Sequence, residues 1–416
     1  MSTSKLHVLV GTFNVYQQTL NEEVRDWLLS PFKEHPRVLP DIVAIGFQEF
    51  SPYPEAFIQR DETRLRYAEQ LIEKSLRELC GSQLEQKTSH LGYRKIFVEQ
   101  VVGLALVIFV KDSLQDQVSD ILSNYEGSGP LFIQNKGALG ATFRITPKST
   151  GELGGSFCFI CAHFTAHEGY AARRNVDFKN LVERLVFPKN CNRVEPTEYC
   201  TLHEYEHIFL FGDLNYRANY NFKEVTRLST SKSIISLIEE NDIPSLRKYD
   251  ELLFEKQEGR TVQGFTEGCH LDFPPTYKFA VGTQEYKWEA RIPSWCDRIL
   301  FFNLDEYNKL SNVSETNEKQ EAVSPITTLY YSSYSPSVIS DHKPVVGLYE
   351  IESRLTPADS VNLNWPSIDP NWRLKRNFGN VLTKVTGVLW YFLGTEKWIP
   401  VVLCLAIYKV YKYFEY

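Results

Sequence analysis

The chain carries no surplus of positive charge: 45 Lys and Arg stand against 52 Asp and Glu, a net charge of −7 over 416 residues. Nucleic-acid binders need a basic excess to neutralise phosphates, so this balance argues against one. Cysteine is sparse and unpatterned. Eight residues without even spacing form no disulfide framework, which suits a reducing cytosolic setting. Cys158 and Cys161 have zinc-knuckle spacing, but they lie in the apolar run Phe157-Cys158-Phe159-Ile160-Cys161 with no second pair to complete a site. That run reads as a buried strand. No leader is expected at the amino terminus, because residues 1–5 are polar and the apolar stretch 6–10 is too short for one. The sequon Asn312-Val313-Ser314 is accordingly expected to go unused. The run of about 20 apolar residues that a spanning helix needs is also missing.

What the chain does have is ample core material, 43% hydrophobic against 23% charged residues. Residues 41–47 read as a strand buried on both faces and ending at Gln48-Glu49. Residues 62–80 repeat apolar side chains at Leu65, Ala68, Leu71, Ile72, Leu76 and Leu79, an amphipathic helix expected to stop at Gly81. Residues 101–110 and 157–161 read as core strands, and 178–187 and 233–240 as helices. Strands outnumber helices and come in groups, which predicts two packed sheets with helices outside. Residues 303–328 are polar and breaker-rich and read as a surface loop.

Three segments bring chemistry to strand ends. Phe211-Gly212-Asp213-Leu214-Asn215-Tyr216-Arg217 follows the apolar Ile208-Phe209-Leu210, so Asp213 and Asn215 project from a rigid edge. Pro293-Ser294-Trp295-Cys296-Asp297-Arg298 runs into an apolar stretch, as does Ser340-Asp341-His342-Lys343-Pro344. Asp, Asn and His gathered at strand ends are what metal-assisted phosphate hydrolysis uses.

Together these phrases resemble the inositol polyphosphate 5-phosphatases of the Mg-dependent endonuclease/exonuclease/phosphatase superfamily. Further phrases of the family occur in order: Gly11-Thr12-Phe13-Asn14-Val15, Phe47-Gln48-Glu49, Asn135-Lys136-Gly137-Ala138, His163-Phe164-Thr165-Ala166-His167, Arg173-Arg174-Asn175 and Pro275-Thr276-Tyr277-Lys278. The resemblance covers roughly residues 5–350 and is greatest to small, tail-anchored fungal phosphatidylinositol 4,5-bisphosphate 5-phosphatases. It implies an α/β four-layer sandwich, two packed mixed β-sheets flanked by helices, over residues 1–352, and a 5-phosphatase activity with Mg²⁺ as cofactor.

In that frame Glu49 is the carboxylate ligand of Mg²⁺, and Asn14 offers an amide oxygen to the same ion. Asp213 is the general base for the attacking water, and Asn215 binds the nucleophile or a phosphoryl oxygen. His342 faces the phosphate, Asp297 orients it, and Asp341 bonds metal-bound water. His163 is placed to donate to the scissile phosphate. Lys136, Arg174, Asn175, Arg217, Tyr277, Lys278 and Arg291 are expected to line the substrate pocket. Relatives carry a Lys two residues before the Arg matching Arg291; here that position is Glu289, with Lys287 two residues earlier, so the resemblance leaves open how a 4-phosphate is gripped and hence the substrate preference. Phe13 stands where Trp is more usual and reads as a core change.

After residue 352 the character shifts. Residues 353–380 hold prolines, asparagines and Arg373, Lys375 and Arg376, and read as a linker. From 381 to 416 a helical stripe (Val381, Leu382, Val385, Val388, Leu389, Phe392, Leu393) leads into the 11 uncharged residues 398–408, with Lys409 and Lys412 beyond. This is expected to be an amphipathic, hydrophobic tail held at a bilayer, either as a short anchor or flat at the interface; a helix docked on the domain is the plainer alternative. By resemblance the membrane is the cytosolic face of the endoplasmic reticulum, the substrate a membrane phosphoinositide, and the protein monomeric. Two other functions compete: hydrolysis of soluble inositol polyphosphates, and phosphoinositide binding without turnover. His203-Glu204-Tyr205-Glu206-His207 matches the H-E-x-x-H zinc-protease pattern, but it runs at once into a strand, which leaves little helix to place both imidazoles on one face.

Overall fold

The computed structural model describes residues 5–82, 92–148, 154–189, 199–218, 227–268, 271–302, 326–352 and 365–393. Asn312 and most of the loop read at 303–328 lie outside these residues, as do the uncharged run 398–408, Lys409 and Lys412.

The strands are β1 (Lys5–Asn14), β2 (Ile42–Gln48), β3 (Tyr93–Val101), β4 (Leu104–Lys111), β5 (Val118–Gly127), β6 (Gly137–Ile145) and β7 (Gly155–His163). The short β8 (Phe187–Pro188) and β9 (Tyr199–Cys200) follow, then β10 (His207–Asp213), β11 (Phe265–Glu267), β12 (Asp297–Phe302), β13 (Ile326–Ser333) and β14 (Val345–Glu352). Twelve of them form two six-stranded sheets, β13-β14-β1-β2-β4-β3 and β11-β12-β10-β7-β6-β5, while β8 and β9 pair with each other. Each sheet is mixed: β1 with β2 and β7 with β10 pair in parallel, and the other neighbours in antiparallel.

The helices are α1 (Glu23–Leu29), α2 (Glu55–Ile58), α3 (Glu62–Ser82), α4 (Ala171–Arg184), α5 (Arg227–Glu239), α6 (Ile243–Leu246), α7 (Glu251–Gln257) and α8 (Trp372–Leu393). Strand alternation sorts the core into layers. Val8 and Val10 of β1 point between the sheets, toward Phe157, Phe159 and Cys161 of β7 and Phe209 and Phe211 of β10. Leu9, Val43 and Ile45 point the other way, under α1 and α3. Cys158, Ile160 and Ala162 lie on the outer face of β7 against Phe178, Leu181 and Val182 of α4. The order is therefore helix, sheet, sheet, helix, as expected. Cys158 and Cys161 face opposite layers, which suits a buried strand and not a metal site. Gly46 lets the sheets close up, since a Cβ there would collide with Phe211 and Cys161.

Local expectations failed in four places. Gly81 lies inside α3, whose helix runs on to Ser82. The run 101–110 is a hairpin that turns at Val102-Gly103, with Val102 at φ +51°. Residues 185–187 leave the helix, and Phe187 enters β8. Finally, α8 begins at Trp372, inside the stretch read as a linker, and its Trp372, Leu382, Thr383 and Thr386 are buried against the domain. No helix among the described residues is long and apolar enough to cross a membrane.

Candidate active site

Sheet register alone assembles half the site. Asp213, the last residue of β10, pairs laterally with His163, the last of β7, and with Asp297, the first of β12. Gly137, next to Lys136, pairs with His163 from the other side. On the first sheet Asn14 pairs with Gln48, one residue before Glu49, and β14 begins just after the loop carrying Asp341 and His342. Both sheets thus deliver their polar residues to one end of the sandwich. Gly212 makes this possible in β10: at φ +146° it packs on the Ala162 backbone, where a Cβ would overlap the carbonyl oxygen.

Asp213 is the hub. Asn14 Nδ2 donates to its Oδ2 at 2.9 Å, and the Asn215 N–H donates to its Oδ1 at 3.0 Å. His163 Nε2 lies 3.2 Å and His342 Nε2 3.9 Å from Oδ2. Burial opposes ionisation of Asp213, but His163, His342 and Lys136 outweigh it and hold the carboxyl well below the usual carboxylate range. Asp213 is therefore an ionised, fully positioned acceptor at neutral pH.

His342 Nδ1 meets Asp297 Oδ2 at 2.8 Å, and the Thr276 hydroxyl donates to the same oxygen at 2.6 Å. Burial alone would lower the imidazole pKa; the carboxylates of Asp297 and Asp213 reverse this and push it up to about 9. Burial raises Asp297 as well, so the pair keeps a proton through neutral pH, carried by the more basic imidazole. Asp213, Asp297 and His342 bring donor atoms within 4.8 Å of one another, a spacing a metal could use. The direct Asp297–His342 hydrogen bond leaves no room for an ion between those two. The Tyr277 ring packs on the His342 ring with centroids 4.3 Å apart and fixes its plane.

Glu49 supplies the open carboxylate. It adopts φ +48°, uncommon for a residue with a side chain, of the kind that functional sites tolerate. Its side chain is 23% exposed, and Oε1 lies 4.0 Å from His163 Nε2. Glu49 and Asp213 thus approach the same imidazole nitrogen from two different sheets. Further buried atoms lack partners among the described residues: Asp341 Oδ1, Asp297 Oδ1 and Arg217 Nη1. Buried acceptors without a protein partner are the kind of atom that a cation or water fills. The hard oxygens of Glu49 and Asp341 match the donors that Mg²⁺ or Ca²⁺ takes.

Several expected roles change. His163 is buried, and its Nε2 contacts both Lys136 Nζ and Asp213 Oδ2, so its ring is turned to these side chains and not to the opening. Burial and the neighbouring Lys136 lower its pKa. Asn14 uses its amide nitrogen on Asp213 and its amide oxygen on the Tyr16 N–H at 3.0 Å, which makes it a positioning residue before a ligand. Arg174 does not reach the cleft. It is fully buried, donates to the Thr165 and His167 carbonyls, and pairs with Glu251. Asn175 is likewise turned inward, donating to Glu255 and accepting from the Tyr216 hydroxyl. Arg174 thereby holds the loop after β7 in place, while Asn175 ties α4 to Glu255 of α7 and to Tyr216.

Arg217 bonds Asn215 and stacks on Tyr277, as a wall residue should. Lys278 pairs with Asp341 and lies over the rings of Tyr16 and Tyr277. Arg291 stands farther out, 3.2 Å from His167 Nδ1, and Glu289 is exposed. Lys136 is close to His163, where burial lowers its pKa.

Sequence reasoning missed Thr276, which bonds Asp297, and Ser340, whose hydroxyl donates to the Asn14 carbonyl at 2.7 Å. Both lie inside motif phrases already singled out, so their position was a usable signal. The zinc-protease reading fails. His203 lies in the short turn Leu202–Glu204 and packs on Trp365, while His207 opens β10 and packs on Phe157.

The model of Endonuclease/Exonuclease/phosphatase family 2 matches residues 11–348. Type II inositol 1,4,5-trisphosphate 5-phosphatase of Mus musculus is 29% identical over 350 residues, covering 83% of this chain and 30% of that protein. Polyphosphatidylinositol phosphatase INP53 of Saccharomyces cerevisiae is 29% identical over 353 residues, covering 84% of this chain and 27% of its own length. The chain thus spans less than a third of either relative. Among solved structures, the inositol polyphosphate 5-phosphatase domain of SPsynaptojanin, in complex with inositol (1,4)-bisphosphate and calcium ion, is similar with a TM-score of 0.63 at 23% identity. It covers 94% of each chain, a likeness of fold.

Proposed function

Since the chain belongs to Endonuclease/Exonuclease/phosphatase family 2, we propose that it removes the 5-phosphate of a phosphoinositide. The substrate we favour is phosphatidylinositol 4,5-bisphosphate, giving phosphatidylinositol 4-phosphate and phosphate, with Mg²⁺ as cofactor, at a cytosol-facing membrane such as the endoplasmic reticulum. The observation that carries this reading is Asp213: an ionised carboxylate held by Asn14 and Asn215 between two imidazoles, on a sheet end that also presents Glu49. The names of the mouse and yeast relatives support the substrate class.

Glu49 would hold the cation, with Asn14 and Asp341 beside it. When bound, the cation supplies Lewis-acid neutralisation of phosphate charge. The protein's own residues do the rest. Asp213 Oδ2 takes the proton of the attacking water, its lone pairs aimed by Asn14 and Asn215. Protonated His342 turns Nε2–H toward the opening between Asp213 and Asp341, where it donates to a phosphoryl oxygen. Asp297 and Thr276 keep its other nitrogen occupied. Lys136, Arg217 and Lys278 offset the charge of the inositol phosphates, and the unfilled Nη1 of Arg217 is a ready donor.

Phosphate release measured across phosphoinositides and soluble inositol polyphosphates, with chelator and then with Mg²⁺ restored, tests the reading. We expect release from 5-phosphorylated substrates only, abolished by chelator. Release from 3- or 4-phosphates instead, or full activity in chelator, would overturn it.

A further inference from the structure

Helix α8 has two opposed faces. One packs on the domain: Trp372, Leu382, Thr383 and Thr386 are buried, Gly379 lies on the Phe132 backbone and Gly387 on Phe57. The Trp390 ring meets Tyr53 and Phe57 at centroid distances of 6.2 and 6.0 Å. The other face carries Leu374, Phe378, Val381, Val385, Val388 and Phe392, all exposed, with Leu374, Val381 and Phe392 at 69%, 63% and 78%. Their alternating spacing of four and three residues places them in one stripe along the helix. Six large apolar residues in line on a solvent face need a partner.

Charge decides which partner. From Trp372 to Leu393 the sequence has Arg373, Lys375, Arg376 and Lys384 and no acid, within a chain of net charge −7. Lys375 is offset by Asp369 and Arg376 bonds Asn124, so the helix keeps a net positive charge with Lys384 exposed beside the stripe. A second copy packed face to face would set these cations against their own equivalents, whereas an anionic surface would attract them. The uncharged residues 398–408 follow within a few positions.

We propose that α8 is an interfacial helix, rigidly docked on the catalytic domain, whose stripe inserts into the surface of an anionic bilayer. The contact begins at Leu374, so the domain is held against the lipid without a flexible tether. The docked face reinforces this. Gln134 N–H donates to Thr383 Oγ1 at 3.1 Å, two residues before Lys136, and Tyr53 lies four residues after Glu49. The helix therefore braces both loops that bring these residues to the cleft. The inference builds on the membrane part of the proposed function and is separable from its chemistry.

The test uses the full chain and its variant Val381→Glu/Val385→Glu/Val388→Glu, sedimented with phosphatidylcholine vesicles with and without phosphatidylserine. Wild type should bind the anionic vesicles preferentially, and the variant should lose about tenfold or more of that binding. The variant's Tm and its turnover of soluble inositol trisphosphate should stay at wild-type values, because the changed side chains are solvent-exposed and remote from the cleft. Equal binding of variant and wild type, or indifference to phosphatidylserine, overturns the proposal. So does wild-type self-association that the variant abolishes. Stripe-dependent binding without any phosphate release would leave the helix assignment standing and remove the hydrolase. Turnover with stripe-independent binding would do the reverse.

Discussion

Asp213 and His342 illustrate how little of a residue's chemistry lies in its own side chain. An aspartate and a histidine three positions from a strand are common. What fits them for the base and donor roles proposed above is that each stabilises the charge of the other across 3.9 Å, in a place water scarcely reaches. Asp213→Asn should cost about 10²–10⁴-fold in turnover with little change in Tm, read by phosphate release and calorimetry. The same change removes one of the charges that raise His342, so any residual activity should fall off at lower pH than in the wild type. His342 also carries a stability signature. Its folded pKa, about 9, lies above the ordinary imidazole value, so folding is favoured by a bound proton. That stabilisation is complete below about pH 6.5 and is lost as pH rises through about 9. Unfolding free energies from urea titrations over that range should decline by on the order of 1–3 kcal/mol more in wild type than in His342→Gln. That Asp213, Asp297 and His342 would lie at strand ends was legible in the sequence because each stands close to an apolar run; the Asn215 side chain, expected to meet the nucleophile or a phosphoryl oxygen, is instead bonded to the Phe164 carbonyl and Arg217. Arg174 misled because a basic residue beside motif residues looks the same whether it grips a ligand or two loop carbonyls.

At the scale of elements, the strands that were read correctly are those buried on both faces, β2, β7 and β10, where continuous apolar runs leave one interpretation. The β3–β4 turn was hidden because a β-branched Val102 takes the positive φ that sequence patterns reserve for Gly or Asn. The start of α8 was hidden for a different reason. Its first three turns carry three cations and two asparagines, and their inward face is made of Trp372 and Gly379, which no apolar period reveals. Close approach of that face depends on glycine: a Cβ on Gly379 would run into the Phe132 carbonyl oxygen. Gly379→Val should therefore loosen the helix and destabilise the protein by about 1–3 kcal/mol, seen as faster amide exchange over residues 372–393 and a lower urea midpoint.

For the whole molecule, the boundary between catalytic domain and tail lies later than a composition break suggests. Removing residues 381–416 cuts α8 through its docked half and takes away Leu382, Thr383, Thr386 and Trp390. That truncation should lower the Tm by roughly 2–4 °C relative to one ending at residue 393. Equal melting of the two would mean that the docked face contributes nothing. The sequence by itself determined the class of fold and the ends of the strands that bear the chemistry, because burial on two faces and chemistry-bearing residues at strand ends are local, periodic properties of a chain. Only the tertiary structure decided which of those ends meet. Glu49 and Asp213 belong to different sheets and approach one imidazole only because two twisted layers pack with Gly46 between them. It also decided which cations are spent on carbonyls and which remain for a ligand, since that depends on the direction each side chain takes from an element placed by distant contacts.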